Sequence, residues 1–80
     1  MERSAITAQL TEIMIDVFDL DELEYRDDLS AADIEEWDSL SNIRFMVAVE
    51  KEFGFRLSNS EIESLKNVGE MVDLIERKLA

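Results

Sequence analysis

Of the residues able to do chemistry, one hydroxyl stands apart. Ser39 lies in the triplet Asp38-Ser39-Leu40, behind Glu35 and Glu36 and ahead of SNIRFMVAVEKEF. A serine nucleophile needs a base, and the chain has no histidine. Lys51 lies about three helical turns farther on, well outside hydrogen-bond reach. With no cysteine either, the thiol nucleophile, the disulfide and the usual zinc ligands are all missing. No catalytic residue is expected. What remains for Ser39 is structure or attachment. Asp38 or Ser39 can cap a helix, since both residue types rank high at that position. An anion tethered to the hydroxyl would meet free backbone N–H groups and the positive end of the helix dipole. Spacing alone leaves both readings open.

The 80 residues that must position this hydroxyl suffice for one small domain, residues 1–80. A domain of that size buries only about 60% of the surface it exposes when unfolded, which disfavours a deep active site. Twenty acidic against eight basic residues give a net charge of −12, which repels nucleic acid and anionic membrane surfaces alike. Partners should carry basic patches. A hydrophobic content of 46% is enough for a core and argues against disorder. The first residues, MERSAITAQLTEIMIDVF, are interrupted by Glu2, Arg3, Gln9, Glu12 and Asp16, so no signal-type apolar region is expected. The run Phe45 to Val49 falls far short of the ~20 residues of a membrane span. The expected address is the cytoplasm.

Ile6, Leu10, Ile13, Met14 and Val17 recur at three- and four-residue spacing, the stripe of an amphipathic helix over 4–18 with Ser4 as its cap. Residues 19–37 lose that period and become acidic, but Leu20, Leu23, Tyr25, Leu29, Ile34 and Trp37 should pin them across the helices. A short helical turn is expected over Ser30 to Glu35. A calcium loop is not, because such a loop needs a glycine at its sharp turn and none precedes Gly54. The second helix runs from Ser39 to Phe53, with Gly54 placed to close it in left-handed conformation. Ser60-Glu61-Ile62-Glu63 reads as a capping box opening a short helix. Asn67-Val68-Gly69-Glu70 repeats the arrangement before Met71, Val72, Leu74, Ile75 and Leu79, with Arg77 and Lys78 in the last turn where cations suit the dipole. Strand alternation is absent. The fold class is all-α: a small four-helix bundle, three main helices plus one short helix, with a long first loop.

Winding the second helix at about 100° per residue separates two apolar arcs. Phe45, Met46, Val49 and Phe53 form the core face. Leu40, Ile43 and Val47 fall in a second arc flanked by Glu50, and so small a domain is not expected to bury both. The second arc suits a partner, whether or not the chain is modified.

Asp38-Ser39-Leu40, followed by Ile43, Phe45, Val47, Val49, Glu50 and Phe53, resembles the acyl carrier protein family over roughly residues 4–79. In that family the triplet opens the second helix of a four-helix bundle. The resemblance implies that a phosphopantetheinyl transferase moves 4′-phosphopantetheine from coenzyme A onto Ser39, with Asp38 and Leu40 beside it. The arm's thiol then holds an acyl or aminoacyl group for a loading ligase or transferase and for downstream enzymes. It also implies a partner surface of Glu35, Glu36, Leu40, Ile43, Arg44, Val47, Glu50 and Lys51, and a chain acting as a monomer. The alternative is an unmodified interaction module that uses the Leu40, Ile43 and Val47 face.

Departures from the family pattern shape the expectation further. Glu36 and Trp37 stand where glycine and a small residue are common, and Glu35-Glu36-Trp37 does not resemble the peptidyl carriers. Arg44 and Lys51 replace residues that are often apolar or acidic in fatty-acid carriers. These differences point to a discrete carrier of a specialised pathway. Trp37 either packs on Ile34 and closes the loop or lies along the arm. It makes no hydrophobic staple, because the residue that would complete it is polar Asn42.

Overall fold

The computed structural model describes residues 1–80, with four helices: α1 (Arg3–Val17), α2 (Ser39–Phe53), α3 (Asn59–Ser64) and α4 (Val68–Leu79). Each long helix turns one stripe inward. α1 buries Ile6, Leu10 and Met14, α2 buries Phe45, Met46 and Val49, and α4 buries Val68, Met71, Val72, Leu74 and Ile75. α1 packs against both α2 and α4. The expected all-α architecture and the expected core face of α2 are both present.

The long loop is pinned as its apolar residues suggest: Leu29 and Ile34 are buried, and Leu20, Leu23, Tyr25 and Trp37 pack against the core. The short helix expected over Ser30 to Glu35 is absent, and turns take its place. Asp33 closes a single turn on Ser30: its carboxylate accepts from Ser30 N–H at 3.1 Å and its N–H donates to Ser30 O at 3.0 Å, without a helix following.

The helix ends hold further corrections. Ser4 does not cap α1: the cap position is Glu2, which makes no side-chain capping bond. This end is tied to the bundle instead by Arg3, which donates to Asp73 at 2.8 Å and to Glu76, both on α4. The Asp73 bond, followed by the Glu76 bond, pushes the Arg3 pKa still higher than usual. α1 ends through Asp19 in left-handed conformation (φ 54°), so Leu20 N–H reaches back to Ile15 O at 2.9 Å, a Schellman closure. α2 ends the same way at Gly54 (φ 76°), as its sequence predicts.

α3 begins two residues earlier than expected. Ser58, not Ser60, caps it, accepting from Glu61 N–H at 3.2 Å while Glu61 accepts from Ser58 N–H at 2.9 Å. Both serines have a glutamate three residues on. The choice is tertiary, since Lys78 of α4 pairs with Glu61 at 3.0 Å. No residue of α3 is buried.

The start of α4 carries a feature that no local pattern announces. Val68 N–H donates to Leu29 O and Gly69 N–H to Asp27 O, each at 2.8 Å, while Asn67 accepts from Glu70 N–H at 2.9 Å. The long loop is thereby stitched to the helix through backbone. A Cβ at Gly69 would lie 2.8 Å from Asp27 O, so the approach requires glycine.

Candidate functional site

The start of α2 is built from three residues in sequence. Asp38, in extended conformation, is the cap, and its Oδ1 accepts from Leu40 N–H at 3.1 Å and Ser41 N–H at 2.9 Å. Ser41 completes the box by accepting from Asp38 N–H at 2.9 Å and donating to Glu36 O at 2.7 Å. These bonds, the Ser41 N–H foremost, hold the Asp38 carboxyl below its usual range. Ser39 therefore does not cap the helix. It is the first helical residue, exposed, and neither its N–H nor its hydroxyl takes part in the capping network.

One expectation changes as a result. An anion on Ser39 would not find the amides of Leu40 and Ser41 free, because Asp38 already occupies both. The Ser39 N–H and the dipole of α2 are what remain for it.

Beneath the triplet three rings meet. Trp37 stacks on Phe18 with centroids 5.2 Å apart and meets Phe45 edge-on at 5.5 Å, while Phe18 and Phe45 lie 5.5 Å apart. The indole Nε1–H donates to Asn42 Oδ1 at 2.8 Å. The residue before the cap and the fourth helical residue are thus joined after all, by a polar staple rather than a hydrophobic one. Trp37 N–H also donates to Ile34 O at 3.1 Å, a backbone turn that closes the end of the loop. Phe18 and Ser41 were not singled out by pattern, and Asn42 was noted only as a polar residue unsuited to a hydrophobic staple. Only Ser41 had a local signal, as an acceptor three residues after an Asp.

A cavity of about 330 Å³ opens beside Ser39, between α2 and the α3 side of the bundle. Phe45, Met46, Ile62, Leu65 and Met71 give it an apolar lining, and Asp38, Ser39, Asn42 and Asn67 add polar groups. An exposed, uncommitted hydroxyl next to such a cavity fits a residue that carries a long, flexible group.

The outer arc of α2 is exposed as periodicity predicts: Leu40 and Ile43 are each 62% accessible and Val47 43%. Glu35, Glu36, Arg44 and Lys51 are exposed as well. Glu50 differs, because its carboxylate accepts from Leu57 N–H at 2.7 Å in a partly buried bond. The segment after Gly54 turns back onto it, so Glu50 ties the loop to the helix.

The chain matches the phosphopantetheine attachment site family over residues 8–75. It belongs to the acyl carrier protein family. It is 37% identical over 71 residues to polyketide-8 synthase acyl carrier protein 2 of Streptomyces avermitilis, covering 89% of this chain and 82% of that one. It is 33% identical over 79 residues to the acyl carrier protein of Petrotoga mobilis, covering 99% and 93%. The fold superposes with a TM-score of 0.86 on the solution structure of a holo acyl carrier protein from Geobacter metallireducens. That match is 38% identical and covers 91% of this chain and 84% of the other. Membership makes the chain a carrier rather than a catalyst, with 4′-phosphopantetheine as its prosthetic group. A phosphopantetheinyl transferase and acyl-handling enzymes are its general partners. The unmodified interaction module is thereby displaced. No helix is long and apolar enough to cross a membrane.

Proposed function

We propose that Ser39 is the attachment residue of this acyl carrier, in a discrete, monomeric, cytoplasmic protein of a specialised biosynthetic pathway. The observation that carries the assignment is that Ser39 opens α2 with its hydroxyl exposed and unused, because Asp38 and Ser41 perform the capping between them. When bound, the arm supplies a thiol that holds the cargo as a thioester. The chain's own residues do the rest. Asp38 fixes the helix start, Asn42 and Trp37 hold the rings under it, and the adjacent cavity offers an apolar refuge from water for cargo.

Partner enzymes read Leu40, Ile43 and Val47, which are exposed in a row along α2. Glu35, Glu36 and Asp38 add acidity where the arm leaves, steering basic patches of partners toward it. A specialised pathway is supported by the similarity to a polyketide synthase carrier and by the exposed cations Arg44 and Lys51. Its cargo class remains the choice of a separate acyl- or aminoacyl-loading enzyme.

Incubation with coenzyme A and a broad-specificity phosphopantetheinyl transferase, read by intact mass, tests the assignment. One added phosphopantetheine is expected, and none in Ser39→Ala. An equal gain in the variant would place the arm elsewhere.

A further inference from the structure

The charges on the exposed side of α2 run against those of the chain. At 100° per residue, Leu40, Arg44, Val47 and Lys51 fall on one stripe roughly 60° wide, and all four are exposed. Glu50, beside this stripe, has its carboxylate engaged by Leu57 N–H. Neither Arg44 nor Lys51 enters an ion pair, although Arg3, Arg26 and Lys78 all do. Arg56, also exposed and unpaired, shares a shallow groove with Val47 and Lys51 just past the end of the helix. On a chain of net charge −12, the outward stripe of α2 therefore presents free cations with apolar side chains between them. The acids Glu35, Glu36 and Asp38 sit at its Ser39 end, and at the far end Lys51 also borders, on the α1 side, a groove with Glu12, Asp16 and Glu52.

We propose that the partner enzymes of this carrier dock on α2 through an acidic counter-surface, with carboxylates engaging Arg44, Lys51 and Arg56 around an apolar contact on Leu40, Ile43 and Val47. The inference rests on the carrier reading and names the partner chemistry for it. Charge complementarity selects the occupant: an acidic patch gains two partners on this stripe and a third at Arg56 past its end, whereas a basic patch laid along the same path meets three like charges. The surface also has a direction. Arg44 stands about 7 Å and Lys51 about 18 Å along the helix from Ser39, at ~1.5 Å per residue. A partner that accepts the acids at one end and the cations at the other can lie along α2 in one sense only. Opposed charges would thus fix which way the arm points into the partner.

Two synthetic amphipathic helical peptides with the same leucine stripe, one flanked by glutamates and one by lysines, serve as probes. Each is titrated into the holo chain at low salt, and backbone amide shifts are followed by NMR. The glutamate peptide is expected to shift residues 40–51 and to bind roughly tenfold tighter, the scale of three exposed ion pairs together. The preference should vanish at high salt and reverse in the double variant Arg44→Glu, Lys51→Glu. Arg56→Glu, which lies outside the helices, should weaken the preference without touching helical content by circular dichroism. Equal or tighter binding of the lysine peptide, shifts elsewhere in the chain, or an unchanged preference in these variants would overturn the proposal. So would shifts of residues 40–51 on raising the chain's concentration without peptide, which would assign the face to a second copy. Loading of the unsubstituted chain is scored separately by mass. Absence of mass gain therefore marks failure of the carrier reading, and loss of peptide preference with normal loading marks failure of the docking inference.

Discussion

The starts of α2 and α4 use similar local chemistry to opposite ends. Both follow an extended cap residue whose side chain accepts from the third helical N–H: Asp38 from Ser41 and Asn67 from Glu70. At α4 the remaining amides are closed by carbonyls of the long loop, Leu29 O on Val68 and Asp27 O on Gly69. Both residues are buried there. At α2 nothing crosses over the first residue, and Ser39 stands in solvent. One start is a joint and the other is a port. Capping motifs therefore do not distinguish a structural helix start from a functional one; what covers the first turn does.

The contrast predicts graded responses. The largest should come from below the port. Phe45 is fully buried among Phe18 and Trp37, and Phe45→Ala should cost about 3–5 kcal/mol in chemical denaturation. Loss of loading without loss of stability would show that the ring cluster does not support the fold. At the joint, Gly69→Ala forces a methyl against Asp27 and should cost about 1–3 kcal/mol, with increased amide exchange at Val68 and Gly69. Wild-type stability in that variant would mean that the loop can retreat and that the joint is loose.

Smaller effects should follow from charge at the two caps. Asp38 is held below its usual range chiefly by Ser41 N–H, and Glu61 chiefly by Ser58 N–H. A depressed folded pKa contributes stability above the unfolded value, near pH 4, and that contribution is lost as pH falls through the folded value. Asp38→Asn should therefore flatten the acid limb of the stability profile below about pH 4 while leaving an amide to cap the helix. An unchanged acid limb would discount the carboxylate as a charged cap. The smallest effect on stability should belong to Ser39→Ala, within about 0.5 kcal/mol for an exposed residue that makes no capping bond, while loading is expected to be lost. A larger loss would return Ser39 to the helix's own architecture.

Much of this was legible in the residues, and the failures share a cause. Three- and four-residue spacing locates α1, α2 and α4 and separates the buried Phe45, Met46 and Val49 from the exposed Leu40, Ile43 and Val47, because periodicity reports which face meets the core. Gly54 marks its helix end because left-handed backbone favours glycine. What escaped depends on residues distant in sequence. Lys78 pairs with the glutamate of the Ser58 box and favours it over Ser60 as the cap of α3, Arg3 ties the uncapped start of α1 to α4, and Gly69 is required by a carbonyl of the first loop. Glu50 looks like surface on a helical wheel, which has no place for the returning segment at Leu57. At the site, the triplet is local and readable. Its foundation, with Phe18 brought from the end of α1, is not.

Trp37 is the only tryptophan in the chain. It stacks on Phe18, borders the cavity beside Ser39 and hydrogen-bonds Asn42 through its indole. Excited at the red edge, where Tyr25 does not absorb, the molecule's fluorescence thus originates two residues from Ser39. Loading and cargo that enters the cavity would alter the polarity around that indole and shift its emission, so the carrier brings its own optical gauge of what it holds.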